Sequence, residues 1–231
     1  ISIANADECT GNGGSKFGYP IVVDKSDGGN FTSVQSAIDS IPQENHQWVK
    51  VQINPGKDRS VTTITFDAHN RTDESATFTS MADNIVAKGI TFKNSYNHPL
   101  LLKHALSERK VLGVLQAVAA RILGDKYSIF ECGFLGLQDT LWDASGRHYF
   151  IKCHIEGAAG FIFGSGQYIY HINVTTGALF SQYPYGYITA QGQGSSDDTS
   201  GVIFQETTMN ADVVPQGWDA WKFPGKEYVL N

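Results

Sequence analysis

The chain has 231 residues, enough for one domain with a sizeable core, and 41% of them are hydrophobic, which excludes a disordered chain. Only 17% are charged while 24 are glycine, a balance that fits a turn-rich β protein better than a helical one. The net charge of −6 offers no basic surface for nucleic acid, and no stretch is long and apolar enough for a membrane-spanning helix.

The chain reads as a single domain over 1–231, with residues 1–20 as a loose N-terminal arm whose DECTGNGGSKFG run (7–18) is loop-like. Ile21-Val22-Val23 predicts a short strand. Phe31, Val34, Ala37, Ile38 and Ile41 then fall at helical spacing. Thr32 and Gln35 suit a capping box for that helix, and Pro42 stops it. An amphipathic helix in this position covers one end of a core.

The middle of the chain repeats. Val86–Ile90, Phe130–Phe134 and Ile151–Ile155 share apolar first and fifth positions, and their starts are 44 and 21 residues apart. The unit is then about 21 residues with a weak copy between the first two, and Ile169–Ile172 is a candidate fourth copy. Short strands at a fixed period predict a β-solenoid, in which each coil buries its apolar face only against its neighbours. A meandering antiparallel sandwich is the other architecture such strands allow. On the solenoid reading Cys132 and Cys153 lie on adjacent coils, either stacked or bonded, or simply as small buried residues. Three sequons, at Asn30, Asn70 and Asn173, favour secretion.

No GxSxG elbow, phosphate loop or HExxH zinc helix is present, and the seven histidines are scattered. No metal or organic cofactor is expected. A polar cluster stands out instead: Gln116 opens QAVAAR, and Gln138 with Asp139 opens QDTLWD, both in apolar surroundings. Two amides can hold a developing oxyanion and a carboxylic acid can pass a proton. The structural alternative is an internal ladder of amides that satisfies buried polar groups.

The runs IVVDKSDGGNFTSVQSAIDSIP (21–42), QAVAARILGDK (116–126), CGFLGLQDTLWDASGRHYF (132–150), GFIFGSGQ (160–167) and VVPQGWDAW (213–221) resemble plant pectin methylesterases, nearest the group that includes pollen allergens. The resemblance extends from about residue 20 to the end. It implies an all-β fold, a right-handed parallel β-helix with a short N-terminal capping helix. It also implies hydrolysis of methyl esters on galacturonate units of pectin with release of methanol. Pectin is the implied partner, a proteinaceous inhibitor is a second, and the cell wall is the implied location. By motif, Gln116 and Gln138 match the oxyanion glutamines and Asp139 the acid/base. Phe161 matches a sugar-contacting aromatic, and Ser95 stands where the family has a substrate-contacting Thr.

The sequence departs from that pattern at one decisive place. The family motif DFIFG reads Gly160-Phe161-Ile162-Phe163-Gly164, so the position of the nucleophilic Asp is glycine. The LGRxW run expected near Gly201 is also absent, and with it the Arg that holds the nucleophile ionised. A catalytically impaired pectin-binding protein of the same fold is therefore the competing expectation. Asp139 and Asp143 are the neighbouring carboxylates that a substitute nucleophile would come from.

Overall fold

The computed structural model describes residues 2–4, 20–42, 49–54, 59–97, 115–158, 160–176, 187–191, 200–209, 213–214 and 217–219. The N-terminal part supplies β1 (Ser2–Ala4), β2 (Ile21–Asp24), α1 (Val34–Asp39) and β3 (Lys50–Asn54). Next come β4 (Thr63–Phe66), β5 (Phe78–Ser80), β6 (Val86–Lys88) and β7 (Thr91–Asn94). The central coils contain β8 (Ala120–Ile122), β9 (Tyr127–Phe130), β10 (Gly133–Leu135) and β11 (Leu141–Asp143). They continue with β12 (Arg147–Gly157), β13 (Ile162–Gly164), β14 (Gln167–Thr176) and β15 (Thr189–Gln191). The last described strands are β16 (Gly201–Phe204), β17 (Thr208–Met209) and β18 (Trp218–Asp219).

These strands pair in parallel throughout and form a right-handed parallel β-helix, with β1 inserted between β3 and β6. A six-stranded sheet runs β18-β15-β13-β11-β8-β5. The other sheet, of twelve strands, curls around the remaining sides. Ala120, Leu141 and Ile162 stand in register across β8, β11 and β13, so one coil here takes 21 residues. The curl has a local cause in β12. Its register with β14 shifts between Ile151 and Cys153, and Lys152 between them holds a left-handed φ of 53°. That bulge bends one strand around a corner.

Alternation along each strand builds the core. In β12, His148 and Phe150 are buried while Arg147 and Tyr149 face outward, and after the bulge Cys153 and Ile155 are buried. An aromatic column runs through the interior. Phe92 stacks on Phe78 at 4.7 Å and on Phe134 at 5.8 Å, and Phe150 meets Phe134 at 5.9 Å and Tyr170 at 4.6 Å, with Phe204 at 5.5 Å beyond. Each ring comes from a different strand, so neighbouring coils are joined by interlocked rings as well as by hydrogen bonds.

Several expectations are corrected in detail. The helix is capped by Ser33, whose Oγ accepts from Ser36 N at 3.1 Å, rather than by Thr32. Gln35 reaches forward to Asp39 Oδ1 at 2.7 Å instead of closing a capping box. Ser2–Ala4, read as loose arm, forms β1 between β3 and β6, while residues 5–19 lie outside the described residues. No weak copy separates the first two repeats: β6 pairs directly with β9 and β7 with β10. Phe134 stands opposite Phe92, not Ile90, a slip of two residues that preserves the inward face. Cys132 and Cys153 do lie on adjacent coils, joined by His154 N donating to Cys132 O at 2.9 Å, but both thiols are free and buried.

Candidate active site

Three successive coils turn the same corner just ahead of β8, β11 and β13, and backbone hydrogen bonds hold those turns together. Ala117 N donates to Gln138 O at 3.1 Å, and Thr140 N donates to Gly160 O at 3.2 Å. Gln116, Gln138 with Asp139, and Gly160 are thereby stacked one coil after another. The residues that follow each of them, Ala117, Thr140–Leu141 and Phe161–Ile162, are buried and anchor the corner from beneath.

Each polar group is differently placed. Gln116 is exposed, and its Oε1 accepts from the Thr72 hydroxyl at 3.2 Å, which leaves the amide N–H groups to donate elsewhere. Gln138 is half-buried. Asp139 holds φ at 59°, the left-handed region, which Asp tolerates better than most residues. Burial raises its carboxyl to about 6, and no cation or hydrogen bond among the described residues offsets that rise. Gly160 also sits at a positive φ, 58°. A Cβ placed on it would lie 2.6 Å from Asp139 Oδ1, too close for any side chain to begin there without moving the carboxylate.

Two residues matched to substrate contacts are engaged within the protein itself. Phe161, matched by resemblance to a sugar-contacting position, is fully buried: it lies at the corner just ahead of β13, after the left-handed turn at Gly160, where the strand's alternation has not begun. Ser95 lies just beyond β7, and its hydroxyl donates to Phe66 O at 3.1 Å. Asp143 is withdrawn too. It is fully buried, bonded to His148 Nδ1, and accepts from the Tyr170 hydroxyl at 2.6 Å, so it is closed to an ester.

The outward face of the six-stranded sheet carries what the motifs did not single out. Arg121, Trp142 and Phe163 stand in register on β8, β11 and β13, each half-buried between two buried neighbours. Trp142 stacks on Phe163 at 5.3 Å with 22° between the planes. The Arg121 guanidinium carbon lies 4.3 Å from the Trp142 ring centroid, and Arg121 Nη1 donates to Asp73 O at 2.9 Å. Strict alternation in LWD and IFG is the signal that marks Trp142 and Phe163 as outward. Trp142 and Phe163 stand three positions after Asp139 and Gly160, so the aromatic strip adjoins the polar corner. Among the described residues no cluster of three or more His, Cys, Asp or Glu stands together as a metal site.

A pectinesterase family model matches residues 55–227. A relative named "Probable pectinesterase 29" from Arabidopsis thaliana is 39% identical over 91% of this chain and 75% of its own length. Among solved structures, the pectin methylesterase from carrot superposes with a TM-score of 0.68 at 24% identity, over 84% of this chain and 65% of that one. A pectin methylesterase solved in complex with a hexasaccharide also gives a TM-score of 0.68 at 24% identity, over 87% of this chain and 69% of that one. With the family model covering most of the chain and a relative this similar over nearly all of it, the chain belongs to the pectinesterase family.

Proposed function

We propose that the protein hydrolyses methyl esters of galacturonate units in pectin, releasing methanol. The stacking of Gln116 on Gln138 and Asp139 at one corner of two successive coils carries this reading. An ester carbonyl placed there meets amide N–H donors for its developing negative charge and a carboxyl group able to move a proton. The Trp142–Phe163 strip offers an apolar face to the flat side of a sugar ring, and Arg121 beside it suits a neighbouring carboxylate. The relative bound to a hexasaccharide supports an oligosaccharide as the ligand of such a strip.

On this reading the protein works in the plant cell wall. The three sequon asparagines, Asn30, Asn70 and Asn173, are all exposed, as glycosylated sites must be. A proteinaceous inhibitor as partner rests on family analogy alone.

The test is methanol release from highly methylated pectin by the purified protein. Release at a rate proportional to enzyme concentration is the expected result. A folded protein that binds pectin oligomers yet releases no methanol would instead be a binding protein of the same fold.

A further inference from the structure

We infer that Asp139 carries the hydrolysis alone, as a general base that delivers water directly to the ester carbon over Gly160, with no covalent acyl-enzyme. This rests on the ester-hydrolysis reading above.

The geometry at position 160 is the first ground. Glycine there has no side chain to attack with, and the first atom of any side chain would meet Asp139 Oδ1 at 2.6 Å. The Asp139 carboxylate lies over Gly160, so even a methyl group there must displace it. Backbone φ is positive at both residues, 59° and 58°, so the pair is held close by two unusual turns rather than by chance rotamers.

The charge environment is the second ground. A carboxylate that attacks as a nucleophile must stay ionised, which a neighbouring cation ensures. The residues that the three coils bring to this corner, Gln116, Gln138, Thr140 and Gly160, are all uncharged. Among the described residues, the cation on that flank is Arg121, which is turned onto Trp142 and the Asp73 carbonyl. Asp73 itself is paired with Arg71, and Asp143 is enclosed by His148 and Tyr170. Burial leaves Asp139 at about 6, where it exchanges protons readily near neutral pH.

The step balances with one carboxylate. Water attacks the ester carbonyl carbon while Asp139 takes one of its protons. The carbonyl electron pair moves to oxygen, which the amides of Gln116 and Gln138 hold. The tetrahedral intermediate collapses, the bond to the methoxy oxygen breaks, and Asp139 returns its proton to that oxygen. Methanol and a galacturonic acid leave, and the new acid loses its proton to solvent.

The experiment takes purified native protein and a methylated oligogalacturonide. Once methanol release is established, kcat/KM is followed from pH 4 to 8 and acid-quenched protein is mapped by mass spectrometry. The expected profile is a single rise, about tenfold per pH unit, levelling above about 6, with no galacturonosyl adduct on any carboxyl-bearing peptide. Gly160→Ala, which pushes a methyl group against the carboxylate, should lower kcat about a hundredfold with little change in KM. A bell-shaped profile, a trapped adduct, or full activity in a folded Gly160→Ala protein overturns the inference while leaving ester hydrolysis intact. Should Gly160→Ala fail to fold, the pH profile and adduct search on native protein decide. Absence of methanol release overturns the underlying function and this inference with it.

Discussion

Arg121 lays its guanidinium carbon 4.3 Å from the centroid of the Trp142 ring and, through Nη1, donates to the Asp73 carbonyl. Its Nε is buried without a partner, so the ring face is what compensates that side of the cation. Trp142→Ala removes this support and the partner of Phe163 together. We expect KM for methylated oligogalacturonides to rise about tenfold, with a smaller change in kcat, and Trp142→Phe to retain most of the affinity. Steady-state kinetics on the three proteins check this.

Phe161 and Phe163 lie two residues apart, but Phe161 is fully buried at the corner ahead of β13 while Phe163 is half-buried on the strand's outward face. Phe161→Ala should cost about 3–5 kcal/mol of stability by opening a hole in the core. Phe163→Ala should leave the urea midpoint nearly unchanged and weaken substrate binding. The contrast, read by urea unfolding beside substrate titration, separates the packed ring from the exposed one.

Stability should fall as pH rises. Both ring nitrogens of buried His148 face oxygen, Nδ1 the Asp143 carboxylate and Nε2 the Gly124 carbonyl at 2.7 Å. Burial alone would lower the His148 pKa, but the bond and charge of Asp143, with the Gly124 carbonyl, carry it above the ordinary value. Burial raises Asp143 as well. The folded state therefore keeps a proton here that the unfolded chain gives up. Its stabilisation is full below about pH 6.5, the unfolded histidine value, and is lost as pH passes the raised folded one. Thermal melts of native protein should decline on the alkaline side, and His148→Gln should flatten that decline.

Asp139 adds a smaller contribution of the same sign. Its carboxyl is raised to about 6, so ionising it costs the folded state between the unfolded value and 6. Asp139→Asn should melt close to native protein at pH 4 and be more stable at pH 8 by about 1–2 kcal/mol, after allowing for partial solvent exposure. The same substitution should abolish methanol release.

Burial pushes the Cys132 thiol up to about 12 and Cys153 higher still. Neither should react with a disulfide reagent in the native protein, and both should react in denaturant. A Cys9→Ser background makes the count unambiguous.

The solenoid was legible because the central coils from Ala120 through Leu141 to Ile162 each take 21 residues and their strands alternate. The register between the first two repeats was not. Val86–Ile90 and Thr91–Asn94 both alternate, and a slip of two residues keeps every apolar side chain inward. Gln116, Gln138 and Asp139 could be grouped from motifs, since each lies two to four positions ahead of a strand of its coil. The burial of Phe161 was not legible because FIF offers two aromatics, and Phe161 lies at the corner ahead of β13, where alternation gives no guide. The Asp143–His148 pair went unseen because His148 lies beyond a turn and meets Asp143 only inside the coil.

The interlocked rings from Phe78 to Phe204 carry a consequence for how the protein comes apart. A middle ring is gripped from both sides, while an end ring has one neighbour. Opening should therefore travel inward like unzipping, with amide exchange fastest at the outer coils and slowest around Phe134, Phe150 and Tyr170. The candidate corner at Asp139 sits on those slowest coils, so it should keep its shape while the ends of the helix breathe.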